Sequence, residues 1–488
     1  MNKDKSKLFL KIDLIILSVI LLVAFSVRLY RIDAPLADFH SWRQADTAAV
    51  ARNFVKDGFD LMNPRYDDLS PIQSGKDNPQ GLRMVEFPLY NAIFGGLYKL
   101  APVLPIEVWG RIVSILFSLS TIAVVYYLCL KEHSRIAAAG AATIYAIFPY
   151  FVFFSRTVLP DTTALGLAFL AIFSLYRYTT EERKRYAFAW FVASAVSFAL
   201  ALLVKPTVIF YGLPIGLLFL RTFRLGVFKA VPVYLYGIIA LVPLILWRGY
   251  IAQFPEGIPS SGWLITSVNT YMGLQNIFFK PAFFRWIFFE RINMIILGGY
   301  GAAFLVLGAL SRQRYYLLPA IGIAALTYLF VFQGGNVQHE YYQITIFPAL
   351  AIFCGIGVSF LIANRKLFLH PVALYPAMAG ITVLALFFSW YRVRDYYGTP
   401  NDLVQIARIV NTLTTSDDKI VTDSIGDTTL LFLMDRRGAP APYREFDILK
   451  SEGYDYFVTM NGTVIDAKKE EGIYRVVFEN DKFALFKL

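Results

Sequence analysis

Apolar and polar positions fall in long blocks along this chain. An apolar run over about residues 9–29 gives way to a polar stretch, RIDAPLADFHSWRQADTAAVARNFVKDGFD, from Arg31 to Asp60. Further apolar runs cover about 107–130, 136–154, 161–178, 187–204, 207–222, 229–248, 291–310, 315–333, 343–363 and 370–391. Most approach the ~20 residues that a helix needs to cross about 30 Å of hydrocarbon. A helix also satisfies its own backbone N–H and C=O groups, which lipid cannot do. The pattern predicts about eleven transmembrane helices, with 207–222 the shortest.

The polar segments between the runs set the orientation. With a cytoplasmic N-terminus, MNKDKSK, KEHSR, TTEERKR, RTFRLGVFK, SRQR and ANRK all face inward and all are basic. The short outward segments carry only Arg156 and Lys205. This is the asymmetry that fixes topology in a bilayer, and it places residues 30–106, 249–290 and everything after Arg392 outside. In the first of these, Thr47 to Lys56 reads as a short helix and Tyr66 to Gly81 as a loop. Glu86 to Leu100, interrupted by Pro88 and Gly95-Gly96, reads as an amphipathic helix in the interface. The second is aromatic and interfacial in character, with Trp263, Phe278, Phe279, Phe283, Phe284 and Trp286. The composition changes near 392. A helix over Asp402–Leu413, a strand over Lys419–Thr422, a helix over Thr428–Met434 and a strand over Tyr454–Val458 lead to a hairpin of Ile473–Glu479 and Phe483–Leu488 around Asn480-Asp481. The expected fold is a polytopic all-α membrane protein, residues 1–392, with a small extracytoplasmic α/β domain, residues 393–488.

Composition agrees. Of 488 residues, 57% are hydrophobic and 17% charged, which excludes an ordinary soluble protein. The net charge of +11 reflects the basic inner loops and not a nucleic-acid partner. Cys129 and Cys354 lie in apolar runs and suggest neither a disulfide nor a zinc site. The first run is long and lacks a clear small-residue cleavage site, so it reads as a retained anchor.

Ionisable groups near a bilayer are costly and carry a functional presumption. Here they gather on the outer side: Asp38, His40, Arg43 and Asp46 after the first span, Glu86 before the second, Arg156 and Asp161 between the third and fourth, Lys205 after the fifth, and His339, Glu340, Tyr341 and Tyr342 before the tenth. A carboxylate can take the proton of an attacking hydroxyl. Lys and Arg can hold a phosphate as charge grows on it. Together they suit transfer from a lipid-linked phosphate donor to an acceptor at the outer face.

The order of elements resembles the GT-C fold glycosyltransferases that use polyprenyl-phosphate sugars, such as the protein O-mannosyltransferases and the aminoarabinose transferase of lipid A. The resemblance is carried by APLADFHSWRQADTAAVARNF, VEFPLYNAIFGGLYKL, SRTVLPD, LVKPT and HEYYQITIFPALA, over about residues 9–391. It implies an inverting glycosyltransferase at the outer face of a bacterial cytoplasmic membrane, with a polyprenyl-phosphate sugar as donor and a lipid, glycan or protein hydroxyl as acceptor. The family's first outer loop carries a catalytic acid, often Asp-Glu. Here Asp38-Phe39-His40 stands in its place, with Asp46 as second choice. Glu86 matches the family's Glu-x-Pro-Pro-Leu element with one proline replaced. Asp161 matches the second family Asp, and Lys205 a residue that binds the donor phosphate. Arg156, His339, Tyr341 and Tyr342 are further candidates for the phosphate, with Asp46, His40 and Glu340 as additional site residues.

Each has a plain structural alternative. Asp38 can be a turn residue, Asp46 the N-cap of the helix through ARNF, Glu86 a cap for the amphipathic helix, and His40 a hydrogen-bonded loop residue. Asp161 can complement a helix dipole. Lys205 and Arg156 can snorkel, and the tyrosines can belong to an aromatic belt. Arg285 and Arg291 are weaker phosphate candidates. No cofactor is required, and a divalent ion held by Asp38, Glu86 and His40 is compatible with the sequence. A flippase of lipid-linked sugars is the competing reading; such proteins place polar groups near the midplane and often have internal repeats, and this chain shows neither pattern.

Overall fold

The computed structural model describes residues 3–259, 277–368 and 370–488. Trp263, and the side chain of Phe278, lie outside the described residues. The chain forms two compact units. The helical unit comprises the described parts of Met1–Tyr30, Ser114–Leu246 and Gly262–Asp395; the mixed unit comprises those of Arg31–Val113, Trp247–Ser261 and Tyr396–Leu488. The C-terminal tail therefore packs in one unit with the long segment after the first span.

This is a polytopic membrane protein. Among the described residues six helices are long and apolar enough to span a bilayer: Ile106–Glu132, Lys184–Val204, Pro206–Lys229, Val231–Ile251, Glu340–Ala363 and Val372–Leu413. Several predicted spans are helices with a break, and the breaks follow from local chemistry. The run 136–154 is two helices, Arg135–Ile147 and Pro149–Phe154. Pro149 has no N–H to give to the Tyr145 carbonyl and forces the preceding Phe148 into extended backbone. Arg28, fully buried, repairs the damage. Its Nη2 donates to the Tyr145 carbonyl at 3.0 Å, its Nη1 to that of Ala146 at 2.8 Å, and its Nε to Ser155 Oγ at 2.8 Å. Nearby, Gly355 lets Phe347–Ala363 approach Arg135–Ile147, because a Cβ there would collide with the backbone at Ala137 and Ala141. The run 291–310 is a π-helix, Arg285–Ile296, followed by a turn and the short helix Ala302–Leu310. Such wide turns often mark functional positions.

In the mixed unit the tail builds a five-stranded sheet from β1 (Ile420–Thr422), β2 (Gly438–Ala439), β3 (Tyr456–Thr459), β4 (Arg475–Glu479) and β5 (Ala484–Lys487), ordered β2-β1-β3-β5-β4. The predicted hairpin is the antiparallel pair β4–β5. Side chains alternate between two buried faces. Ile420, Val458 and Leu485 enter one core with Ile406, Val410 and Leu431, while Val421, Phe457 and Phe486 enter the other with Leu449 and Ile465. A sheet buried on both faces needs covers on both, which is why Phe446–Ser451 and Gly462–Glu471 are helices that local pattern did not announce. β2 is too short to read from sequence. Gly438 is required there, since a Cβ would run into the Ile420 carbonyl.

Candidate active site

The helix that follows the first apolar run starts earlier than its sequence pattern suggests, at Ser41, and runs to Asp57. His40 occupies its N-cap position in left-handed backbone (φ 57°) and makes no side-chain cap. This overturns the reading of Asp46 as an N-cap. Asp46 is interior to the helix, 1% exposed, paired with Arg83 Nη2 at 2.9 Å and accepting from Thr428 Oγ1 at 2.7 Å. Its partners fix the helix within the mixed unit.

Asp38 lies just before that helix and is 4% exposed. Gln44 Nε2 donates to its Oδ1 at 2.6 Å, and Arg111 Nη2 stands 3.5 Å from its Oδ2. Arg111 is itself pinned by donating to the Ile32 carbonyl at 2.8 Å and to that of Ala34. Phe39 stacks on Tyr396 at 4.1 Å and donates its N–H to the Tyr396 carbonyl at 3.0 Å, which fixes the Asp38 backbone. Glu86 is not a cap either. The amphipathic helix is Leu89–Leu100 with Pro88 at its N-cap, and both Glu86 oxygens accept from Arg43 Nη2, at 2.6 and 2.8 Å. Arg43 and Gln44 sit in the first turn of Ser41–Asp57, so each holds one carboxylate near a helix N-terminus, where negative charge is favoured. Sequence reasoning passed over Gln44 and Arg111. A cation inside an apolar run was the available signal for Arg111.

Asp68 is a buried carboxyl that plays a structural part. It accepts from Ser70 N at 2.8 Å and Ser70 Oγ at 2.6 Å. Burial raises it from its ordinary 3.8 to about 7, with the Asp46 charge adding to the rise. The fold thus favours the protonated form. That contribution is complete below about pH 4 and is lost as pH climbs through about 7. Thermal stability of the native chain should fall between about pH 4 and 7, and Asp68→Asn should flatten that fall; an unchanged pH profile would refute this.

The helical unit holds the other candidates. Helix Lys184–Val204 stops because Pro206 drives the preceding Lys205 into extended backbone (φ −155°, ψ 104°). Its ammonium, at a helix C-terminus, is 3.6 Å from Asp161 Oδ2 and 5.8 Å from the Tyr342 ring centroid. Both residues are buried, Lys205 at 8% and Asp161 at 4% exposure. Asp161 lies in the first turn of Pro160–Thr180, with Pro160 at the position a helix start tolerates. His339, Tyr341 and Tyr342 form a ring stack, with Tyr341 and Tyr342 centroids 4.8 Å apart. Arg291, from the π-helix, clamps the segment beneath them: Nη2 meets Glu340 Oε1 at 3.1 Å, and Nη1 meets Gln343 Oε1 at 3.1 Å. Tyr150 Oη donates to the Glu340 carbonyl at 2.7 Å. Arg156, 1% exposed, donates to the Tyr30 carbonyl at 2.6 Å, and exposed Arg285 pairs with Glu290 at 2.9 Å. An apolar cavity of about 450 Å³ opens beside the helix that follows, lined by Phe288, Leu305, Ile346, Leu350 and Phe353.

The structure therefore places Asp38, His40, Asp46 and Glu86 in the mixed unit, and Arg156, Asp161, Lys205 and His339 to Tyr342 in the helical unit. Among the described residues, no three His, Cys, Asp or Glu side chains gather in one place.

Residues 88–247 match the family model described as dolichyl-phosphate-mannose-protein mannosyltransferase. The search of curated proteins finds no match to this chain. Among solved structures, ArnT from Cupriavidus metallidurans bound to undecaprenyl phosphate is similar over 96% of this chain and 97% of its own, with a TM-score of 0.62 at 15% identity. The Archaeoglobus fulgidus oligosaccharyltransferase, in a complex with Zn and sulfate, matches over 91% of this chain and 67% of its own (TM-score 0.58, 12% identity). The mycobacterial arabinofuranosyltransferase AftD matches over 98% of this chain and 41% of its own (TM-score 0.57, 13% identity). At these identities the likeness is one of fold.

Proposed function

We propose that this chain, which has the fold of the GT-C membrane glycosyltransferases, transfers a sugar from a polyprenyl phosphate to an acceptor hydroxyl at the outer face of a bacterial cytoplasmic membrane. The observation that carries this reading is the buried Lys205 beside Asp161 and Tyr342, at a break between helices. An ammonium has three N–H donors. In this reading one side of it keeps Asp161 company while the other takes an oxygen of the donor phosphate, and the charge that grows as the sugar–phosphate bond breaks is met by a cation already desolvated.

Asp38 accepts the proton of the acceptor hydroxyl as its oxygen attacks the anomeric carbon, and polyprenyl phosphate leaves from the opposite side of the sugar. Attack from the far side inverts the anomeric configuration. Gln44 and Arg111 orient Asp38, while Arg43 holds Glu86 for contact with sugar or acceptor. The apolar cavity beside Ile346 and Leu350 suits the first isoprene units of the lipid. ArnT, the structural neighbour quoted above, binds undecaprenyl phosphate, which makes that lipid the first donor carrier to test. Proteoliposomes loaded with a labelled undecaprenyl-phosphate sugar separate transfer from transport. Release of free undecaprenyl phosphate in step with a glycosylated acceptor supports transfer, and movement of intact donor between leaflets without its consumption contradicts it.

A further inference from the structure

A polar trough runs across the mixed unit, away from Asp38 and Glu86. Its middle is a cavity of about 630 Å³. Through Leu69, Pro79 and Lys419 it shares a wall with a second cavity of about 270 Å³, and through Asn53, Asp57 and Arg65 with a third of about 140 Å³. The three cavities adjoin through these shared residues. Neither the sugar-transfer chemistry nor the packing of the sheet requires it.

The lining says what the groove would hold. Six Lys and Arg and five Asp line the central cavity, a near-balance of charge, and several pair with one another: Arg52 with Asp67 and Asp435, Lys56 with Asp435, and Arg437 with Asp57. A net-positive groove would select anions and a net-negative one cations. Hydroxyl groups accept from guanidinium and ammonium and also donate to carboxylate, so they suit a balanced lining. Within the wall, Asp67 is 2% exposed and held by Arg52 Nη2 at 2.5 Å, and burial raises its pKa from the ordinary value. At one end Tyr443 and Tyr454 stand edge to face, 6.2 Å apart, with Tyr443 the more accessible ring. The half-buried Tyr443 ring, with the Arg444 guanidinium 5.4 Å from its centroid, sets an aromatic ring beside polar groups, a pairing that suits the apolar face and hydroxyl rim of a sugar ring. A peptide fits poorly. The lining offers few apolar side chains besides Leu69 and Pro79. The edge of β2 that an added strand would use is already taken, since Gly438 N–H donates to the Asp67 carbonyl at 2.9 Å and Leu69 N–H to that of Gly438 at 2.7 Å.

We infer that this trough is a binding site for a neutral oligosaccharide segment of the acceptor, so that the substrate to be modified is a glycan chain held several residues away from the hydroxyl that reacts. The inference rests on the proposed transferase reading for the word acceptor, while the site itself is argued from the groove alone.

The test uses full-length protein in nanodiscs and four neutral hexasaccharides, of glucose, mannose, galactose and N-acetylglucosamine, with binding followed by saturation-transfer NMR and calorimetry. Tyr443→Ala and Lys419→Gln are the variants; both lie at the groove and outside the catalytic machinery. At least one hexasaccharide should bind the native protein and lose about tenfold or more in affinity in each variant. Thermal stabilisation by undecaprenyl phosphate, read on the same samples, should be unchanged in both. Absence of binding by all four at millimolar concentration would overturn the inference, as would binding that both variants leave intact, or preference for a polyphosphate or a peptide over every hexasaccharide. Donor-lipid stabilisation without saccharide binding overturns only this inference, whereas loss of donor-lipid stabilisation in the native protein counts against the transferase reading.

Discussion

Asp38→Asn should lower sugar transfer by about a hundred- to ten-thousand-fold, the range that a positioned general base contributes. The substitution keeps shape and the acceptor oxygen for Gln44, whose Nε2 lies 2.6 Å away, so folding should survive and the affinity for donor lipid should hold. Asp46 is the control. Its carboxylate is enclosed and joined to Arg83 and Thr428, and Asp46→Ala leaves Arg83 buried without its partner. Breaking such a pair costs about 3–5 kcal/mol of stability. A thermal melt and a turnover assay on both variants separate the roles. Full activity in Asp38→Asn, or a lost activity in Asp46→Ala with no loss of stability, would reverse the assignment of base and scaffold.

Lys205→Ala should weaken binding of undecaprenyl phosphate by about ten- to a hundredfold, since a hydrogen bond to a charged group contributes about 1.5–3 kcal/mol. The single variant also removes the cation beside Asp161, which is 4% exposed, so a fall in stability alone would be ambiguous. The double variant Lys205→Ala, Asp161→Ala removes both charges. It should regain much of the stability lost in the single variant and still bind the donor lipid as weakly. Recovery of lipid affinity along with stability would mean that Lys205 serves the fold and not the phosphate. Titration of the lipid by thermal shift, on wild type and both variants, gives the answer.

Much of this was legible in the sequence, for identifiable reasons. Six of the predicted spans coincide with helices long and apolar enough to cross a bilayer, because lipid imposes backbone pairing within each helix. The hairpin at Asn480-Asp481 and the helix over 402–413 followed from short-range pattern. The end of Lys184–Val204 ahead of Lys205-Pro206 was readable as well, whereas the break at Pro149 fell inside a run that read as one span. What escaped depends on partners distant in sequence. The start at Ser41 of the helix that follows the first apolar run carries no side-chain cap, so the usual signal was missing, and Asp46 looked like a boundary when it was interior. The pairing of Glu86 with Arg43 joins residues 43 positions apart, and Arg111 meets the loop of Asp38 from the head of the second span. The hold of Arg291 on the Glu340–Gln343 segment likewise joins residues about fifty positions apart. β2 was hidden by its length of two residues.

The most direct test of the central claim is turnover of a panel of undecaprenyl-phosphate sugars by the purified protein in nanodiscs, with a mixture of envelope glycans as acceptor. The account predicts that one donor is consumed, that free undecaprenyl phosphate appears in equal amount, and that the new linkage has the anomeric configuration opposite to that of the donor. Consumption with retained configuration would contradict the roles given to Asp38 and the leaving phosphate. No consumption of any donor by a protein that binds none of them would contradict the transferase reading itself.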